Sequence, residues 1–246
     1  MKFKATTLYN FKQQGLTLIC FMVAIVLFTI ALPLLGTLFT SNAQIYGATD
    51  LMLLFIIISF ISGYIALSQK NFNLFMQNGV SRPTVISVAL ILNVIFALIN
   101  TLLAQSIHGT LRTNHFRMRF VNFINDFYGP NSSYGNHNIV WRFLFILLVL
   151  FAIANLGSIL GAFWSRFGRI PRIILVLLVI FTPTILMNVY RLLSPTAQAH
   201  VKIIIAQLIG IQAHSGIEPL ITLLVIGLLT GLIVYVLNFK RELKRS

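Results

Sequence analysis

Residues 143 to 164 read FLFILLVLFAIANLGSILGAFW, a run without a single acid or base. A bilayer's hydrocarbon core is roughly 30 Å thick, and a helix rising 1.5 Å per residue crosses it in about 20 apolar residues. The run is apolar at successive positions, whereas a barrel strand carries about 10 residues of strict alternation. A helix also satisfies its own backbone donors and acceptors, which lipid cannot do. The stretch therefore reads as a membrane-spanning helix.

Working outward, five further runs have the same character, at 16–40, 50–69, 84–107, 173–193 and 220–239. The expected fold is all-α: one polytopic transmembrane domain over residues 1–246, with six spans and short interfacial helices between them. Composition agrees, since 58% of the 246 residues are hydrophobic and 9% charged, against about 25% charged in a soluble domain. No room is left for a separate soluble domain. The first run is too long for a signal-peptide core and lacks a small-residue cleavage site, so it is read as an uncleaved helix.

The formal charge of +14 comes from 18 Lys and Arg against 4 Asp and Glu. In a soluble chain that balance would suggest nucleic acid; here the bases sort by side and set topology. Lys2, Lys4, Lys12, Lys70, Arg82, Arg166, Arg169, Arg172 and the bases of the C-terminal tail fall on one side of the six spans. Arg112, Arg117, Arg119, Arg142, Arg191 and Lys202 fall on the other. Both termini are expected in the cytoplasm of a cell-membrane protein, with residues 108–142 and 194–219 forming the long external connections. No nucleic-acid partner is expected. Within 195–219 the apolar stretch VKIIIAQLIGI is too short to cross and reads as re-entrant or interfacial.

Chemistry is sparse. Asp50, Asp126, Glu218 and Glu242 are far apart, so no carboxylate pair for acid–base work is evident. The five histidines fall in external loops with no HExxH spacing, which leaves no metal site in view. Neither GxSxG nor GxxxxGK[ST] occurs, so the chain is not expected to be an enzyme or to bind a nucleotide through a P-loop. Cys20 has no partner cysteine in the chain. The spans carry no charge near their midpoints for a coupling ion, although a sodium-coupled carrier can use carbonyls and hydroxyls instead.

Between the second and third runs lies SQKNFNLFMQNGVSRPT. Phe72, Phe75 and Met76 share one face at helical spacing, with Lys70, Asn71, Asn73 and Gln77 on the others. Gly79 can end this helix in a left-handed conformation, and Ser81 with Pro83 can start the next. The aromatic face suits a groove on a cytoplasmic partner, or equally the lipid headgroups. Residues 2–15, with Phe3, Leu8, Tyr9 and Phe11 among three lysines, read either as an interfacial helix or as a plain basic flank.

A basic, aromatic N-terminal elbow, two spans, and then NFNLFMQNGVSRPTVISVAL leading into a third span resemble the membrane subunit of an ABC-2 type ATP-binding cassette transporter. The resemblance implies six spans with both ends inside and a dimer with itself or with a similar permease subunit. It also implies a cytoplasmic ATP-binding cassette ATPase that binds the ATP and Mg, leaving this chain without a cofactor. Asn71, Phe72, Phe75, Met76, Asn78 and Arg82 would then belong to the element that docks on the ATPase. The 108–142 connection is longer than is usual in that family.

In that connection Phe116, Phe120, Phe123 and Phe127 recur at i, i+4, i+7 and i+11, which predicts an amphipathic helix on the outer leaflet. It would float in the interface or collect an amphiphilic molecule. Within the spans, Gly157 with Gly161 and Gly227 with Gly231 form GxxxG pairs, and Asn93 and Asn100 share a small, polar stripe with Ala89, Ala97 and Ala104. These mark helix-packing faces. The combined expectation is the permease subunit of an ATP-driven exporter of an amphiphilic peptide, drug or lipid. The alternative is a non-transporting immunity or regulatory membrane protein that binds a peptide at its outer face.

Overall fold

The computed structural model describes residues 2–27, 31, 35, 45–106, 110–112, 116–121, 139–166, 188, 190, 192, 194–209 and 217–239. In chain order these form α1 (Lys2–Val26), β1 (Ile45–Asp50), α2 (Leu51–Ala66), α3 (Gln69–Gln77) and α4 (Arg82–Ser106). There follow β2 (Thr110–Arg112), β3 (Phe116–Val121), α5 (Ile139–Arg166), α6 (Pro195–Ile209) and α7 (Ile217–Phe239). Four stretches among the described residues are long and apolar enough to cross a membrane: Leu54–Gln77, Arg82–Ser106, Ile139–Trp164 and Ile217–Phe239. The body of the protein is thus helical and suited to a bilayer. Of the 173–193 run only 188, 190 and 192 are among the described residues, and 16–40 lies only partly within them.

α5 is the central post, packed against α2, α4 and α7. Two apolar clusters mark the ends of the bundle. One gathers Met52, Phe55, Ile58, Phe145 and Leu150 near the start of α2, with Leu220 and Leu223 of α7 against it. The other gathers Ala66, Leu67, Phe72, Phe75, Val85 and Ile86 around α3, with Val234 of α7. Because α7 meets first one cluster and then the other, it runs parallel to α2. The Gln105 side-chain amide reaches the Ile139 carbonyl at 3.5 Å, which sets the start of α5 beside the end of α4. α5 is therefore parallel to α2 and α7, and α4 is antiparallel to all three. α1 runs with α4, since Tyr9 packs edge-on against Phe75 while Phe21 and Met22 touch the opposite cluster.

The exposed surface is inside-out by the standards of a soluble protein. α7 buries Pro219, Gly227, Thr230, Val234 and Asn238 along one stripe and leaves Ile221, Leu224, Leu228, Leu232 and Val236 exposed. In α1 Thr6, Asn10 and Gln14, four residues apart, turn inward, while Leu8, Leu16, Ile19 and Val23 are exposed. In water that arrangement would bury polar groups and wet apolar ones; in hydrocarbon, which offers no hydrogen bonds, it is the favourable one. α1 continues unbroken through Gly15, so residues 2–15 are the first turns of a longer helix and not a separate element.

One expectation is overturned. Phe116 to Val121 do not begin an outer amphipathic helix; they form a strand, paired in parallel with β1, Ile45 opposite Phe116, and antiparallel with β2. The stretch FRMRFV also alternates apolar and basic residues at a period of two, and strand partners from elsewhere in the chain decide between the two periods. Phe123 and Phe127 lie outside the described residues. The three-stranded sheet, in the order β1-β3-β2, adds strand to a chain expected to be all-α.

Candidate functional site

Two polar assemblies are set into this apolar bundle. The first lies at mid-helix and centres on Asn93 of α4. Its side-chain amide donates to Asn155 Oδ1 at 3.0 Å and to Ser158 Oγ at 2.9 Å on α5. Each acceptor passes the bonding onward: Asn155 Nδ2 donates to the Gly227 carbonyl of α7 at 3.1 Å, and Ser158 Oγ to the Gly63 carbonyl of α2 at 3.0 Å. One side chain thus ties four helices together through two branches that both end on glycine carbonyls. A turn or two away, Asn100 Nδ2 donates to Ser59 Oγ of α2 at 3.0 Å.

Glycine makes these approaches possible. A methyl group at Gly63 would collide with the Ala154 carbonyl, and one at Gly157 with that of Phe60; at Gly161 it would lie 2.7 Å from the Tyr64 carbonyl. The Gly157/Gly161 pair therefore faces α2 at backbone contact. The α7 pair is looser, with Gly227 under the Phe151 ring and Gly231 having 3.6 Å to the Asn155 amide. The asparagines line helix interfaces, and each is almost completely buried.

The second assembly lies where α1, α2 and α3 meet. Asn71 Nδ2 donates both to Gln13 Oε1 at 2.7 Å and to the Ile65 carbonyl at 2.8 Å. Gln14 Nε2 reaches the Ser62 carbonyl at 3.5 Å. α3 closes as the sequence predicts. Gly79 adopts φ 69°, its N–H donates to the Met76 carbonyl, and that of Val80 to the Phe75 carbonyl, both at 3.0 Å. This is the Schellman arrangement, with Val80 and Phe75 in one apolar cluster. Ser81 follows, its carbonyl accepting from the Val85 N–H at 3.1 Å.

The aromatic face of α3 points the other way from the one expected of a docking surface. Phe72 is 0% and Phe75 5% exposed, and Met76 packs beside them. These side chains are core, and a partner cannot receive them in a groove. The exposed rim is Lys70, Gln77, Asn78 and Gly79, while Arg82 is half-buried. Asn78 uses its amide locally, donating to the Leu74 carbonyl at 2.7 Å. Sequence reasoning also passed over the inward stripe Thr6, Asn10 and Gln14, although its spacing of four was visible, and over Ser59, Ser62 and Ser158. Serine is too common in spans for its type alone to single out these positions.

No group of three or more histidine, cysteine, aspartate or glutamate residues that could hold a metal occurs among the described residues. No protein-family model, curated protein or solved structure matches this chain.

Proposed function

We propose that this chain is the membrane-spanning permease subunit of an ATP-driven exporter, moving an amphiphilic peptide, drug or lipid with energy from a separate cytoplasmic ATP-binding cassette ATPase. The observation that carries the reading is the seating of α3. A nine-residue helix follows α2 and leads into α4, its apolar face wedged among α2, α4 and α5 and its polar rim turned outward. A push on such a rim is delivered directly to three spanning helices, which is what a coupling element requires.

The directions of the helices support six spans. α5 and α7 are parallel, so the chain between them returns from the α3 end to the sheet end. The apolar run at 173–193 is long enough for that crossing, whereas the 15 residues of α6 span only about 22 Å. With α1 as the first crossing, both termini share the α3 end, which the excess of Lys and Arg assigns to the cytoplasm. The permease would act as a dimer with itself or with a similar subunit.

The test is copurification. An ATP-binding cassette ATPase should accompany the tagged chain from its native membrane, and the rim variant Lys70→Glu with Gln77→Glu should lose it while remaining folded. Loss of neither the partner nor export activity in that variant refutes coupling through α3.

A further inference from the structure

Near the junction of α1, α2 and α3, polar atoms are buried in an unbalanced way. Asn71 and Gln14 spend their amide N–H groups on protein carbonyls, which turns their oxygens away from those partners. Asn71 Oδ1, Gln14 Oε1 and Ser62 Oγ are left buried with no hydrogen bond, and so are both amide atoms of Asn10, one turn before Gln14 on the same stripe. The residues are 0 to 3% exposed. A buried polar atom without a partner forfeits the hydrogen bonds it made to water, so a guest that satisfies these oxygens is favoured.

We infer that Asn10, Gln14, Ser62 and Asn71 form a binding site for a monovalent alkali cation of the sodium class. Three features converge on that ligand. The unpartnered atoms are predominantly acceptors, and Asn10, free of any partner, presents its oxygen as readily as its nitrogen. All four donors are neutral, whereas calcium and magnesium sites draw on carboxylates. The Ser62 and Ile65 carbonyls belong to the last turns of α2, where the helix dipole is negative and a cation is favoured. The site is independent of the ATPase reading; it would brace α3 against α1 whichever partner binds the rim.

The experiment is thermal unfolding of the purified full-length chain in detergent, with sodium chloride exchanged for choline chloride at constant ionic strength. Sodium should raise the midpoint in a saturable way. Ser62→Ala, which removes one hydroxyl, should raise the half-saturating concentration about tenfold, as expected for one lost contact. Gln14→Leu should abolish the sodium effect, and the outward-facing Leu16→Ala should leave it intact. No sodium dependence in the unmodified chain, as for a site filled by water alone, overturns the proposal. So does a sodium effect that survives unchanged in both Ser62→Ala and Gln14→Leu.

Discussion

Glycine and asparagine do at single positions what larger residues cannot. At Gly63 and Gly157 the helices touch through backbone, and an added methyl group meets a carbonyl that has no room to yield. Gly63→Ala and Gly157→Ala should each destabilise the chain by about 1 to 3 kcal/mol, the usual cost of overpacking, read as a lower unfolding midpoint in detergent. Gly231→Ala, with 3.6 Å to its nearest neighbour, should leave the midpoint unchanged. Asn93 makes two interhelical bonds, each of about 0.6 kcal/mol in a membrane setting. Asn93→Ala should therefore cost about 1 kcal/mol, and the same substitution in an Asn155→Ala background should cost less, a non-additivity that a double-mutant cycle measures.

At the scale of elements, α3 separates two properties that share nine residues. Its inner face is core: Phe72→Ala and Phe75→Ala remove large buried side chains and should each cost about 3 to 5 kcal/mol, seen as loss of folded protein on gel filtration. Lost transport in either variant would thus report a damaged bundle and not a lost docking contact. The rim behaves differently, since Lys70 and Gln77 are exposed and their replacement should leave the unfolding midpoint within about 0.5 kcal/mol of the parent. β3 teaches a related lesson. The sequence FRMRFV fits a helical aromatic stripe and a two-residue alternation equally well, and the pairing of Ile45–Asp50 with Phe116–Val121 decides for the strand.

Across the whole molecule the parallel course of α2, α5 and α7 constrains how the chain threads the bilayer. In a Cys20→Ala background, Ser106→Cys at the sheet end should react with a membrane-impermeant thiol reagent applied to intact cells. Ser81→Cys at the α3 end should react only after the membrane is opened. Both residues are exposed on the folded chain, so burial cannot produce the difference. Labelling of Ser81→Cys from outside would invert the assigned orientation and place α3 beyond the reach of a cytoplasmic ATPase.

The order of residues is enough to assign the protein to a bilayer, to place the described spans roughly and to end α3 at Gly79. Those features depend on local hydropathy and on one glycine, and hydrocarbon forces any long apolar run into a helix. It also marked Asn93, Asn100, Gly157 and Gly161 as packing positions, because amides and small residues on spans seek other helices. Which way the faces turn depends on contacts between helices distant in the chain. Phe72 and Phe75 are amphipathic signals that fit a partner's groove or the chain's own core, and neighbours on α2, α4 and α5 choose the core. Thr6, Asn10 and Gln14 sit in a basic, aromatic segment that looks interfacial until α2 and α4 pack against it. A helix face has no direction until other helices supply one side and lipid the other.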